Sequence, residues 1–507
     1  MLTTLMLLLA ACGGQAPTTT QSKNGGDISV GINSDVVTLD PLNSSALVDE
    51  QVMFNVYDTL VRVDQNNNLI PDLATSWSQP TPKEWDFTLR TDVKFQDGTP
   101  FNADAVVFNI NRILSTPSSP RYSEMSNVQS VMAIDASHVR FNLKQPFAAL
   151  LATLADRSGM ILSPTTVKKL GANLANAPVN AGSGPFEFSE WVRSDHLTFK
   201  RNPHYWQKDA QGNSLPYLTS IRYRPITDRS VEFANLQAGT ITAADGLNPS
   251  DVAAARANPS LTYKQIPGLS FSGIEINTKA APFDNPAVRR AIEWGVNRQE
   301  LVNIPLKGIA TVAQGPIAAS SWAYDSHFAP YTYDISKAKA ALAQGGKASG
   351  ITFTLLIGSG SPLTTQIAQF IQSELQPAGI KMEIKQETFA AILSDTQSHN
   401  YQAALLGWSG MPDPDENIYS FFHTGGGFNR MQYSSPQVDN LLEAARGTTN
   451  QQERASDYQK VQQIIGQDAP YIFIYHGVAV QATSAKLKNF TVLPTGILSF
   501  TNVYLGS

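Results

Sequence analysis

Residues 85–106 read Trp85-Asp86-Phe87-Thr88-Leu89-Arg90-Thr91-Asp92-Val93-Lys94-Phe95-Gln96-Asp97-Gly98-Thr99-Pro100-Phe101-Asn102-Ala103-Asp104-Ala105-Val106, preceded at 71–77 by Pro-Asp-Leu-Ala-Thr-Ser-Trp. The alternation of Trp85, Phe87 and Leu89 predicts a half-buried strand. Asp97-Gly98 predicts a tight turn. Asn102, or a neighbour, is placed to cap a helix carrying Ala105, Val106 and Phe108. The stretch is thus a strand–turn–helix unit, and the same mixing of strands and helices runs through the rest of the chain.

Thr198–Arg201 and Ile221–Arg224 read as strands. Asn285-Pro286 opens a helix with Val288, Ala291, Ile292 and Val296 on one face. A later helix carries Ile367, Phe370, Ile371 and Leu375, stops at Pro377-Ala378-Gly379, and is followed by the alternating Ile380, Met382 and Ile384. Ser435-Pro436 opens a further helix with Val438, Leu441, Leu442 and Ala445, and its successor carries Tyr458, Val461, Ile464 and Ile465. With 507 residues, the chain exceeds what one hydrophobic core serves, so two large lobes, or two lobes and a subdomain, are expected. An α/β fold follows from the helix–glycine–strand units.

Composition narrows the function. The hydrophobic fraction is 42% and the charged fraction 16%, which fits a folded chain. A formal net charge of −5 without a basic block gives no footprint for nucleic acid. The single cysteine, Cys12, excludes an intramolecular disulfide and any multi-thiolate metal site. It follows the apolar run Met1–Ala11, too short to span a bilayer and shaped like the h-region of a secretory signal. Leu9-Ala10-Ala11-Cys12 resembles a bacterial lipobox, which makes residues 1–11 a signal peptide and Cys12 the lipid anchor. Residues 12–26, rich in Gly, Ser and Thr, are expected to be a flexible tether.

Motifs for catalysis are missing. The seven histidines form no HxxxH or HxH pair, so no zinc site is expected. No GxSxG elbow, Walker loop or dinucleotide-binding GxGxxG stands in the right context. Neither an enzymatic activity nor a cofactor is expected.

Several stretches together resemble the family 5 extracellular solute-binding proteins. They are the two quoted above, Gly182-Ser183-Gly184-Pro185-Phe186, Arg201-Asn202-Pro203-His204-Tyr205-Trp206, Ile276-Asn277-Thr278, Pro282-Phe283, Val288-Arg289-Arg290-Ala291-Ile292, Tyr333-Asp334, Ala338-Lys339-Ala340, Trp408-Ser409-Gly410 and Asp413-Pro414-Asp415. The resemblance covers roughly residues 28–490. It implies a two-lobed, hinged fold of the periplasmic-binding-protein type, with an extra subdomain in the first lobe. The expected division is 27–268 for the first lobe with its subdomain, 269–482 for the second, and 483–507 returning to the first. Crossings are expected near Pro267-Gly268-Leu269-Ser270 and Gln481-Ala482-Thr483.

The resemblance also implies the role: a lipid-anchored, extracytoplasmic substrate-binding component of an ABC importer. Such a protein encloses a peptide or peptide-like solute between its lobes and presents it to a membrane permease as a monomer. A sensor or adhesion lipoprotein on the same fold, a metal-chelate carrier and a cell-envelope hydrolase are the alternatives. By motif, Gly407, Trp408 and Ser409 line the cleft, and Leu47 falls where the first lobe's opening loop approaches ligand. The family's ammonium-binding aspartate falls on Met411, which cannot form an ion pair. Asp413 or Asp415 would have to substitute, and both also suit shaping and capping the loop. Trp322, Tyr324 and Phe271 are further aromatic candidates, with core packing as their simpler role. Trp77, Trp85 and Trp206 are assigned to core or structural surfaces, and Arg289 and Arg290 to their helix. Gly358–Gln369 holds no arginine to grip a ligand carboxylate. A modified peptide, an opine or a sugar conjugate is therefore as compatible as a free peptide.

Overall fold

The structure is a computed structural model that describes residues 23–65, 68–493 and 495–506. The apolar N-terminal run, Cys12 and the first part of the expected tether lie outside the described residues. Contact with the body begins before the first strand: the Gly25 amide donates to the Tyr217 carbonyl at 2.8 Å, and the Thr219 amide to the Gly26 carbonyl at 2.8 Å.

The signals read from local sequence correspond to elements. Strand Glu84–Leu89 leads into a turn in which the Gly98 amide donates to the Phe95 carbonyl at 2.8 Å. Gly98 takes a φ of 83°, a left-handed conformation that favours glycine. Helix Ala103–Leu114 follows, with the Asn102 side chain accepting from the Ala105 amide. Asn285 and Ser435 cap helices Pro286–Gly295 and Pro436–Gly447 in the same manner, each with proline in the first turn.

The first lobe is built on strand Asp27–Ile32, which lies parallel to Ser220–Pro225 on one side and to Ala243–Ala244 on the other. The sheet continues antiparallel through His196–Arg201 to Phe186–Val192. A separate four-stranded sheet, in the order Ala74–Thr81, Glu84–Leu89, His138–Leu143, Val128–Asp135, forms the extra subdomain. It has its own core, including Phe87, Phe141, Phe147 and Ile110. Trp77, Trp85 and Trp206 pack against that core.

The second lobe centres on strand Phe271–Ile276, antiparallel to Ala403–Trp408. Strands Ile351–Gly358 and Ile380–Glu387 extend it in parallel. Helix Pro286–Gly295 lies against this sheet, and its Arg289 donates to the carbonyls of Asp468 and Phe283 at 2.8 and 2.7 Å.

The lobes share one long strand, Tyr471–Ser484. Its first half pairs with Phe271–Ile276 and its second half with Leu261–Pro267. The change of partner falls between Tyr475 and Val478, so Gln481-Ala482-Thr483 already lie in first-lobe pairing. The segment 268–270 makes the other crossing. The two crossings touch: the Gly477 amide donates to Ser270 Oγ at 3.1 Å, and His476 Nδ1 donates to the Ser270 carbonyl at 2.9 Å. A Cβ on Gly268 would come within 2.6 Å of the Gly477 carbonyl oxygen, which is why this crossing needs glycine. Two adjacent, short connections make a hinge axis.

Candidate ligand cleft between the lobes

Direct hydrogen bonds bridge the lobes on the side away from the hinge. The Gly427 amide donates to Ser123 Oγ at 2.9 Å. The Ala148 amide donates to the Arg446 carbonyl at 3.0 Å, and Arg446 Nη1 to Ser126 Oγ at 3.2 Å. The space between the lobes thus lies between the hinge and these contacts.

A recess lined by aromatic side chains has a volume of about 300 Å³. Ser45, Ala46 and Leu47 contribute from the first lobe, and Gly407, Trp408 and Ser409 from the second. Leu47 and Ser409 also border a second recess of about 270 Å³ beside the hinge. Trp408 is 8% exposed. Its indole Nε1 donates to Asn417 Oδ1 at 3.0 Å, and its ring lies 5.3 Å from Phe421 and 5.1 Å from Phe428. The Arg157 guanidinium approaches it at 5.7 Å from the first lobe. Strand Ala403–Trp408 pairs along one edge throughout, but its other edge pairs only at Ala403 and Ala404. Among the described residues, no strand covers that edge from Leu405 to Trp408.

The other sequence candidates fall in different places. Phe271 is wholly buried behind the cleft wall, edge-on to Phe421, Tyr471 and Phe473 at 5.3–5.6 Å. Trp322, 36% exposed, leans on Tyr458 at 6.2 Å under the Arg454 guanidinium and borders none of these recesses. Both candidate aspartates are engaged within their own lobe. Asp413 caps helix Pro414–Phe422, accepting from the Asp415 amide at 2.9 Å, and Arg454 grips it with contacts at 2.6 and 2.9 Å. Asp415 is fully buried and bound by Arg446 Nε and Nη2 at 2.7–3.0 Å. Met411 is buried, with its amide held by Asn417 Oδ1 at 2.7 Å, and it borders a smaller recess with Glu50 and Glu416.

Charge in the cleft comes from residues that no local pattern marks. Glu275 and Arg430 line the aromatic recess as a loose pair at 3.6 Å. Burial raises the Glu275 carboxyl, with Arg430 opposing. From the first lobe, Glu50, Asp156, Arg157, Arg121 and Glu124 form an alternating chain of charges. Arg157 lies 3.2 Å from Glu50 and 3.4 Å from Asp156, and Arg121 lies 3.6 Å from Asp156 and 2.9 Å from Glu124. Burial pushes Glu50 up to about 8 against the pull of Arg157, and Asp49 up to about 7. A sequence shows these as ordinary charged residues; their burial follows from partners brought together by the fold. Among the described residues, no group of three His, Cys, Asp or Glu side chains is placed to hold a metal ion.

Two lobes joined by paired crossings, with an aromatic and charged cleft between them, define a protein that captures a small solute. The comparisons agree. The model of the bacterial extracellular solute-binding proteins, family 5, matches residues 68–429. The chain is 31% identical over 487 residues to the glutathione-binding protein GsiB of Salmonella choleraesuis, covering 94% of this chain and 93% of that one. Among solved structures, it resembles the DppA periplasmic binding protein of Helicobacter pylori in complex with the peptide STSA, at 28% identity and a TM-score of 0.87 over 96% of this chain and 99% of that one. It also resembles AgaA of A. tumefaciens R10 in complex with agropinic acid, at 26% identity and a TM-score of 0.87 over 95% and 99%. The chain belongs to the family 5 extracellular solute-binding proteins. Its role is that of the family, extracytoplasmic capture of a solute for an ABC importer, and the family consists of binding proteins, not enzymes.

Proposed function

We propose that the solute is a small peptide or peptide-like compound carrying charge, held between Leu47 and the Gly407-Trp408-Ser409 strand end and delivered as a closed complex to the permease. The observation that carries this reading is the uncovered edge of Leu405–Trp408 beside the aromatic recess. Unpaired main-chain groups on a strand edge accept an extended ligand by strand addition, while the recess takes a side chain. Trp408 supplies the flat apolar wall of that recess. Opposite charges at Glu275–Arg430 and around Glu50 give a zwitterionic ligand partners for its lost hydration. Similarity to a glutathione binder and to a peptide binder supports the same class, and the agropinic acid complex extends it to opine-like conjugates.

A lipid on Cys12 completes the proposal, with the protein working as a monomer tethered to the outer face of a membrane. Among the described residues, no helix is long and apolar enough to cross one. The test is a thermal-shift screen of short peptides, glutathione and opines. A ligand present at 100 times its Kd stabilises the folded state by about 2.7 kcal/mol. Saturable stabilisation by one of these compounds without turnover supports the reading; turnover, or binding confined to free sugars or metal ions, refutes it.

A further inference from the structure

The smaller recess, of about 60 Å³, has a different character from the aromatic one. Glu50 and Phe54 reach it from the first lobe, and Met411, Pro412 and Glu416 from the second. Asp64 borders it as well, beside Glu50 on the first-lobe side, so Glu50 and Glu416 stand on opposite sides of the closing interface. Glu50 is 0% exposed, and among the described residues no N–H or O–H group donates to its carboxylate oxygens, while the Asp156 carboxyl lies against it and helps to push it upward. Among the described residues the close cation of Glu50 is Arg157, whose Nη2 lies 3.2 Å from Glu50 while its Nε lies 3.4 Å from Asp156. Among the described residues, no hydrogen bond reaches the buried Glu416 Oε2 either. The charged groups that act most strongly on Glu416 are all acids: Asp156, Asp413, Glu124 and Asp415. Asp413 and Asp415 have their own arginines, Arg454 and Arg446. Arg62, which also borders the recess, is taken by Asp58 and Asp72.

Carboxyl groups thus outnumber guanidinium groups around the recess, and among the described residues no hydrogen-bond donor reaches the oxygens of Glu50 or Oε2 of Glu416. Buried carboxylates in that condition are costly unless a cation joins them. We propose that this recess is a cation subsite in which Glu50 and Glu416 close from the two lobes on an ammonium group of the bound solute. The volume suits a group of that size, and its N–H donors match the free carboxylate oxygens. Asp64 also lines the recess, but among the described residues no three His, Cys, Asp or Glu side chains are grouped to hold a metal ion, which favours ammonium. Met411 then has a physical role as an apolar wall between the two acids. Burial raises Glu50 to about 8 and Glu416 well above the carboxylate range, which is the state expected of two such acids before a cation arrives. The inference rests on the proposed capture of a peptide-like solute.

The experiment compares trialanine and glutathione with their N-acetyl counterparts, and cadaverine as an amine without a carboxylate, by calorimetry on the whole chain and on Glu416→Gln and Glu50→Gln. The expected result is at least a tenfold preference for each free amine over its acetylated form, reduced below about threefold in either variant. Glu416→Gln decides alone should Glu50→Gln fail to fold. Peptide binding without the preference, or with the preference intact in Glu416→Gln, overturns the subsite and leaves the proposed function standing. Cadaverine binding that Glu416→Gln abolishes, with no peptide or glutathione bound, supports the subsite and overturns the proposed function. Failure of every free amine to bind overturns the subsite.

Discussion

Gly427 stands where closure of the lobes can be tested by one methyl group. Its amide donates to Ser123 Oγ across the interface at 2.9 Å. A Cβ built on it would meet the Pro120 carbonyl oxygen at 2.6 Å, Ser123 Oγ at 2.8 Å and Pro120 Cα at 2.9 Å, all in the first lobe. The Ser123 hydroxyl can rotate away, but the Pro120 backbone, at the start of helix Pro120–Glu124, cannot. Gly427 is not among the residues with positive φ, so alanine adopts its conformation without strain once the lobes part. Gly427→Ala therefore penalises the closed state and spares the open one. Overpacking of this kind costs about 1–3 kcal/mol. If ligand binding draws on closure, that penalty appears as roughly a 5- to 150-fold loss of affinity. Calorimetry gives the affinity, and small-angle scattering gives the change in radius of gyration on adding ligand. The ligand-free melting temperature should hold within about a degree. Unchanged affinity together with unchanged compaction would falsify the assignment of this contact to the closed state.

The other tests bear on the cleft wall, the loop beneath it and the titration of the interior. Trp408→Ala should weaken ligand binding at least tenfold, and it should also lower the melting temperature, because the indole is packed on Phe421 and Phe428 and bonded to Asn417; an unchanged Kd removes Trp408 from the site. Arg446→Met strands the buried Asp415 carboxylate and should cost about 3–5 kcal/mol in denaturant unfolding, whereas a loss below about 1 kcal/mol would mean that water replaces the guanidinium. Stability of the ligand-free protein should fall as pH rises from 6 to 9. Asp49, Asp72 and Glu293 are raised to about 7 and Glu50 to about 8, so the stabilisation from their protonated folded forms is full below their ordinary range and lost through these values. Glu443, lowered to about 2 by His423 and Tyr419, acts only in acid and leaves that window untouched; a melting temperature flat from pH 6 to 9 contradicts the burial argument. Replacing Cys12 by serine should release the protein from membranes, as read by fractionation, and retention would refute the lipid anchor.

What could be read from the sequence was local in its physics. Asn102, Asn285 and Ser435 announce helices because a cap acts within three residues. Gly379, at φ 85°, marks the helix-to-strand change for the same reason. Strand Ala74–Thr81 gives a weak signal: most of its side chains are exposed and it contains Pro80, so alternation hardly registers. Of the candidate recess, the stretch that a motif marks in the sequence is Gly407, Trp408 and Ser409, which border it. Asp413 showed its capping role in advance, since Asp before Pro is a helix-start signal. Its arginine, Arg454, did not show, because it lies on a different helix, Gln451–Asp468. Phe271 illustrates the same limit: a strand aromatic is equally at home facing a cleft or a core, and only the neighbouring sheet decides.

The charges around Met411 show why the loop could lose an aspartate and still serve a charged ligand. Three acids follow it closely, at 413, 415 and 416, on one helix start. Two are fixed by arginines from helices Gln451–Asp468 and Pro436–Gly447. Those pairs leave no net charge to offer, and each would cost several kcal/mol to break. Among the described residues Glu416 has no such partner, and it borders the same recess as Met411. Charge is thereby moved from the loop to the first turn of the helix, and matched from the opposite lobe by Glu50. A ligand gripped this way is sensed by both lobes at once. An open form presents each acid to water, where it needs no partner, and the closed form presents two acids that need one. The differential affinity that selects closure then resides in the ligand's cation, so an uncharged analogue of the same shape should leave the lobes open even where it fills the aromatic recess.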